Sequence, residues 1–146
     1  MLLELVVNSN NFGMITLQDA ITASGSHPER LTHPELTSEV KANLTKLLEK
    51  VNALLKELTI EHVVVSSGFR PSDVNAATPG SAKKSLHMSG NAIDIAGHIV
   101  YNELENHGDL LKKYGLWRED KSGAPTWTHL DQSTTRVDRT SRTFIA

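Results

Sequence analysis

The sequence predicts an α+β domain in which an antiparallel sheet is flanked by helices. Three observations indicate this class: a long amphipathic helical pattern in the first half, short strand-like runs after it, and a shorter helical segment between those runs. The 146 residues are enough for one domain with a hydrophobic core and too few for two. We therefore expect a single domain over residues 1–146, with its core at about 36–131 and a basic tail at 132–146.

Helices are expected in the first half of the chain. Residues 2–7 predict a short strand or a hydrophobic anchor, and a short helix is expected around Thr16–Thr22. The clearest helix is indicated by apolar residues at three- and four-residue spacing, which form one apolar stripe along about six turns. Thr37 or Ser38 can serve as its N-cap. The stripe consists of Val40, Leu44, Leu47, Leu48, Val51, Leu54, Leu55 and Leu58.

Strands are expected in the second half. A β-branched run predicts a strand at 62–67, and alternation in period two predicts strands at 91–96 and 126–131. The stretch between the first two strands is rich in proline, glycine and serine, which predicts a loop. A helix over Tyr101–Tyr114, closed by Gly115, is expected before the last strand. The tail is expected to be loosely docked and carries Arg136, Arg139 and Arg142.

The composition excludes several classes of function. Lys and Arg total 15 and Asp and Glu total 17, a net charge of −2, so no nucleic-acid or anionic-membrane surface is expected. The absence of cysteine excludes disulfides, thiolate zinc sites and cysteine nucleophiles, so any metal must be bound by carboxylates and the seven histidines. No run approaches the roughly 20 apolar residues of a membrane helix. The N-terminus lacks signal-peptide features, so we expect synthesis in the cytoplasm without a signal peptide.

The segment Ser85–Asp94 carries the residues most indicative of chemistry. His87 is followed by a glycine that permits a tight turn and by a strand with Asp94 on its small-residue face. A buried carboxylate needs a cation or hydrogen-bond donors to offset its desolvation, and His129 on a neighbouring strand adds a second imidazole. Two histidines and one aspartate match a catalytic zinc site with an open position for water. The alternative is a metal-free scaffold in which these residues are structural.

These residues belong to a longer pattern. The string S-x-H-x-x-G-x-A-x-D begins at Ser85, follows SSGFRP, and precedes a tryptophan-containing strand with a histidine. In this order the motifs resemble the zinc D-Ala-D-Ala carboxypeptidase and L-alanyl-D-glutamate endopeptidase family, from about Leu36 to Asp131. Within that family the chain is similar to short phage and bacterial murein peptidases. The resemblance implies the hedgehog/DD-peptidase fold for the α+β domain.

The resemblance also implies a role for each motif residue. The implied ligands of a single zinc ion are His87, Asp94 and His129. Arg70 matches the family arginine that contacts the substrate or the developing oxyanion, and Ser85 matches a serine in the wall of the site. Asp131 matches the aspartate of the H-x-D ending in murein peptidases. The alternatives are a surface guanidinium for Arg70 and a turn or capping serine for Ser85.

One departure from the family pattern concerns the general base. Many members place a glutamate three residues before the last histidine, where this chain has Thr126, and threonine cannot act as a base at neutral pH. Asp131, Glu119 and Asp120 are the candidate replacements. Asp131 is the first choice because period two aims it beside His129, where it can equally orient an imidazole N–H.

The resemblance implies zinc-dependent hydrolysis of a peptide bond in the peptidoglycan stem peptide or cross-link. We expect a monomer that acts on the cell wall or in the periplasm, reached by phage-mediated delivery or lysis, as an endolysin or virion-associated lysin. The alternative is a non-catalytic, zinc-stabilised module of the same fold that binds cell wall or has a structural role, which Thr126 favours. The sequence leaves carboxypeptidase and endopeptidase action open.

Overall fold

The computed structural model describes residues 14–137 and 141–145, so the strand or anchor predicted at residues 2–7 lies outside the described residues. Helices and strands alternate in the second half, as expected for an α+β domain. The helices are α1 (Leu17–Thr22), a 3-10 turn (Pro28–Thr32), α2 (Ser38–Glu57), α3 (Ser72–Ala77), α4 (Ile99–Glu105) and α5 (Asp109–Lys113). The strands are β1 (Val65–Ser67), β2 (Ala92–Ala96), β3 (Trp117–Glu119), β4 (Trp127–Asp131) and β5 (Thr143–Phe144).

The five strands form one sheet in the order β1-β2-β4-β3-β5. The pairs β1–β2, β2–β4 and β3–β4 are antiparallel, as the sequence predicts. The last strand, β5, comes from the predicted tail and pairs parallel with β3, which makes the sheet mixed. The predicted α+β class is therefore confirmed, with one parallel strand added at the edge.

The long helix α2 packs the core as its periodicity predicts. The Thr37 hydroxyl caps it by accepting from the Val40 amide at 3.2 Å, which satisfies one of the free N–H groups of the first turn. The apolar stripe is buried along the length of the helix, and Leu44, Leu47 and Val51 have no exposed surface. The core cluster also includes residues before α2, namely Ile15, Ala20, Ile21 and Leu36. No helix among the described residues is long and apolar enough to cross a membrane.

Three local predictions differ from the structure. The helix predicted over Tyr101–Tyr114 is divided into α4 and α5, and Gly108 occupies the N-cap position of α5. The strand predicted at 62–67 is confined to its last three residues. The predicted loop contains α3, which begins after Pro71, a residue whose fixed φ suits a helix start.

Two glycines allow the elements around the site to approach closely. The Phe69 amide donates to the Ala20 carbonyl at 2.9 Å, and a Cβ at Gly68 would collide with that same carbonyl. Gly90 has a φ of +78°, and a Cβ there would lie 2.6 Å from the Val40 carbonyl of α2. Both the SGFRP turn and the turn before β2 are therefore pressed directly against helical backbone.

Candidate metal centre

His87, Asp94 and His129 converge at the centre of the sheet. The register of β2 and β4 makes Asp94 and His129 Cα partners, so their side chains share one face. His87 reaches the same place from the turn before β2. One potential ligand atom from each residue lies within 4.8 Å of the others, and all three residues are buried.

The outer nitrogen of each imidazole has its own hydrogen-bond partner. His87 Nδ1 lies 2.9 Å from the Gly68 carbonyl oxygen, and His129 Nε2 lies 2.7 Å from Asp131 Oδ2. The inner nitrogens, His87 Nε2 and His129 Nδ1, lie 3.3 and 2.8 Å from Asp94. When a ring donates its outer N–H to such a partner and loses its inner proton, the inner nitrogen can bind a metal, which is the arrangement that metal-ligating histidines use.

The donor set fits a zinc ion. Two neutral imidazoles and one carboxylate are the ligands of catalytic zinc sites that keep a position open for water or substrate. Each histidine is held by a second group, a backbone carbonyl for His87 and a carboxylate for His129, which fixes the ring and its tautomer. The residues that hold the metal would be His87, Asp94 and His129.

Without a metal, these groups stabilise one another by sharing protons. Burial alone would lower the pKa of His129, but the hydrogen bonds with Asp131 and Asp94 outweigh it and raise the pKa to about 9. Burial would raise the pKa of Asp94, but the charge of His87 and the hydrogen bond with His129 hold it well below its usual range. The metal-free centre therefore favours a protonated His129 between two carboxylates, and a metal has to displace that proton.

Asp131 is fully buried and its carboxylate has three partners. It lies against His129, accepts from Arg136 Nη1 at 2.6 Å, and accepts from the Ser133 amide at 3.1 Å. Burial opposes ionisation, but the hydrogen bonds with His129 and Arg136 keep the pKa of Asp131 below its ordinary value. With these three partners, the Asp131 carboxylate is held where it can orient the His129 imidazole.

Arg70 is buried beside the three-residue cluster. Its guanidinium donates to Asn75 Oδ1 at 3.1 Å and to Ser67 Oγ at 3.3 Å, and Nη2 lies 3.8 Å from Asp94 Oδ2. Its backbone amide donates to the His87 carbonyl at 3.1 Å. Burial lowers the pKa of Arg70, against the opposing effect of Asp94. Arg70 is therefore a buried cation at the centre, in contrast to the alternative of a surface guanidinium.

Asn75 was not singled out from the sequence. It is 3% exposed, and it links Arg70 to the loop by donating from Nδ2 to the Ala82 carbonyl at 2.8 Å. Ser85 lies in the same loop, and its hydroxyl accepts from the His87 amide at 3.2 Å. That bond is the one a turn-forming serine makes, and it helps to place His87. The available signal for Asn75 is an asparagine between SGFRP and the S-x-H string, four positions after the proline.

Glu119, the last residue of β3, and Asp120, which follows it, have carboxylates in different surroundings. The β3–β4 register pairs Trp117 with Asp131, and alternation puts Glu119 on the same face, beside His129. Burial raises the pKa of Glu119, and its carboxylate interacts electrostatically with His129, Asp94 and Asp131. No hydrogen bond or ion pair reaches that carboxylate from residues 14–137 or 141–145.

The carboxylate of Asp120 forms hydrogen bonds away from the metal centre. Its carboxylate accepts from the Tyr101 hydroxyl at 3.3 Å and from the Ser122 amide at 3.0 Å. Thr126, at the position where many family members have glutamate, is exposed to solvent. Of the candidates for a proton acceptor, Glu119 is thus the one whose carboxylate is partly buried, unpaired within the described residues and next to the centre.

Comparison with known proteins supports the family resemblance of the motifs. Residues 15–131 match the family model described as Peptidase M15, which covers all the elements from α1 to β4. No curated protein matches the chain, and no solved structure matches it. The match begins well before the start of the motif resemblance and ends at Asp131.

Proposed function

Because the chain belongs to the Peptidase M15 family, we propose that it is a zinc-dependent peptidase that cleaves peptide bonds of peptidoglycan stem peptides or cross-links. The observation that carries the proposal is the buried group of His87, Asp94 and His129, with an outward partner on each histidine. A zinc ion held there would supply Lewis-acid activation of water and of the scissile carbonyl.

The proton-transfer role is assigned to Glu119. During attack, a water oxygen bonds to the peptide carbonyl carbon and its proton passes to the Glu119 carboxylate. The proton then passes to the leaving amine as the C–N bond breaks. Burial supports this assignment because it raises the pKa of Glu119 towards the range in which a carboxylate both accepts and returns a proton. This choice replaces Asp131, whose carboxylate is engaged by His129, Arg136 and Ser133.

Arg70 is assigned the role of stabilising the negative charge that develops on the substrate. Its guanidinium is held by Asn75 and Ser67 and lies 3.8 Å from Asp94, so it is oriented before any substrate arrives. A preorganised donor of this kind is worth roughly 3 kcal/mol of barrier. Asp131 is assigned the role of orienting His129, and Ser85 that of shaping the turn that presents His87.

The setting proposed is the bacterial cell wall, with the chain acting as a monomer and as a phage endolysin or virion-associated lysin. The support is the resemblance of its motifs to those of short phage and bacterial murein peptidases. The competing function is a zinc-stabilised module without turnover, and the specific observation that favours it is the exposed threonine at position 126.

A single experiment separates these functions. Purified zinc-loaded protein is incubated with peptidoglycan, and the soluble fragments are identified by mass. New amine and carboxyl termini within the stem peptide or cross-link support the peptidase, and the position of the cut distinguishes carboxypeptidase from endopeptidase action. The control is His87→Ala, which should release no fragments. Zinc retention without any cleavage would support the non-catalytic module.

A further inference from the structure

Residues 132–137 and 141–145 follow β4 and lie beyond the family match, yet two of them, Arg136 and Phe144, contact residues of the metal centre or their partners. We propose that this segment fixes the geometry of the centre through Arg136 and Phe144, which act as positioning residues for His129. The inference rests on the proposed metal site, which it deepens by identifying what holds one of the ligands in place.

The first contact is a chain of charge-assisted hydrogen bonds. Arg136 Nη1 donates to Asp131 Oδ1 at 2.6 Å, and Asp131 Oδ2 lies 2.7 Å from His129 Nε2. Asp131 has no exposed surface, so its negative charge depends on these partners for compensation. Arg136 therefore sets the position of the carboxylate that in turn sets the position of the imidazole.

The second contact is made by Phe144. Its ring centre lies 3.5 Å from the Arg136 guanidinium carbon, within range of a cation–π interaction. The same ring packs edge-on against the His129 ring, with centroids 5.7 Å apart and planes at 83°. The Phe144 ring thus contacts both ends of the hydrogen-bonded series that runs from Arg136 through Asp131 to His129.

The backbone of β5 explains why Phe144 stays in place. The Arg118 amide donates to the Arg142 carbonyl at 3.0 Å, and the Asp120 amide donates to the Phe144 carbonyl at 2.7 Å. These bonds join β5 to β3, which is itself paired with the strand that carries His129. β5 is therefore held by the sheet, and the position of Phe144 follows from the same hydrogen-bond ladder as that of His129.

The test is the zinc affinity of the full chain, measured by competition with a chromophoric chelator. Arg136→Ala and Phe144→Ala should each weaken zinc binding roughly 10- to 100-fold, the usual effect of removing a group that orients a metal ligand. Arg136→Lys should restore part of the loss, since it keeps the charge without the planar guanidinium. The matched control is Val137→Ala, because Val137 is 72% exposed and should leave the affinity unchanged.

A second readout is the visible spectrum of the cobalt-substituted protein, which reports the arrangement of the ligands independently of turnover. The spectra of Arg136→Ala and Phe144→Ala should differ from that of the wild type, while that of Val137→Ala should not. Wild-type zinc affinity and an unchanged cobalt spectrum in both variants would overturn the inference while leaving the proposed function intact. Failure of the wild type to bind zinc would overturn the proposed function and this inference with it.

Discussion

Asp94 and His129 are cross-strand partners whose side chains meet at 2.8 Å between Oδ1 and Nδ1, although they are 35 residues apart in the sequence. The pairing is a property of the β2–β4 ladder, which brings two candidate ligands to one face. A slip of one residue in that register would move His129 to the opposite face of the sheet. The candidate metal centre is consequently an outcome of strand pairing as much as of motif sequence.

Glu119→Gln tests the general base. The substitution removes the proton acceptor while keeping the shape of the side chain, so turnover on peptidoglycan should fall about 100- to 10,000-fold. Zinc affinity should stay near the wild-type value, because Glu119 is not one of the grouped donors. Asp120→Asn is the matched control and should retain activity, since Asp120 is paired with Tyr101 and Ser122. Equal activity of both variants would transfer the role to another group.

Asp131→Asn tests the orientation of His129. The amide keeps the size of the side chain but loses the charge that His129 and Arg136 share. Zinc affinity, measured by chelator competition, should fall roughly 10- to 100-fold. If zinc affinity is unchanged and turnover alone collapses, Asp131 has the proton-transfer role that the sequence first suggested.

Arg70→Ala tests the stabilisation of charge on the substrate. Loss of a preorganised donor should reduce kcat by about 100- to 1,000-fold with the zinc content retained. Arg70→Lys should recover little, because the guanidinium donates to Asn75 and Ser67 at once. Asn75→Ala should show a smaller loss of the same kind. A change confined to KM would instead assign Arg70 to substrate binding alone.

The pH dependence of zinc binding follows from the pKa of His129, which is raised from an ordinary 6.5 to about 9 in the metal-free protein. Below pH 9 the metal must displace a proton, so the apparent affinity should rise about tenfold per pH unit from neutral pH towards pH 9. The same raised pKa stabilises the metal-free fold fully below pH 6.5, and this contribution is lost as the pH rises through 9. Calorimetric titrations in buffers of different ionisation enthalpy should detect one released proton; detection of none would contradict the assignment.

Leu47→Ala tests the hydrophobic core. Leu47 is fully buried on α2, so its truncation should lower the free energy of unfolding by about 2–5 kcal/mol in denaturant titrations. Leu31→Ala is a suitable control because Leu31 is 40% exposed. Similar losses in the two variants would contradict the described packing.

The parts of the molecule that could be predicted are those with a strong local pattern. The apolar stripe of α2 predicts both the helix and its buried face, and its start is at Thr37, one of the two predicted N-cap residues. The alternation in β2 and β4 predicts that Asp94 and His129 lie on strand faces, although their exact pairing needs the register.

The parts that could not be predicted depend on tertiary contacts. Glu119 lies on a strand of three residues, too short to show a period, and its proximity to His129 comes from pairing with β4. β5 has two residues and forms only because β3 offers an edge. The break between α4 and α5 falls between Asn106 and Gly108, two residues with low helix propensity that the continuous helix prediction included.

The approach of Gly68 to Ala20 sets a limit on how far the chain can be shortened. The Gly68 carbonyl holds His87 Nδ1, and the next residue donates its amide to Ala20 of α1. A fragment beginning at Leu36 would keep every candidate ligand yet lose the helical backbone that braces this carbonyl. We therefore expect that a shortened chain must include α1 to keep His87 in place.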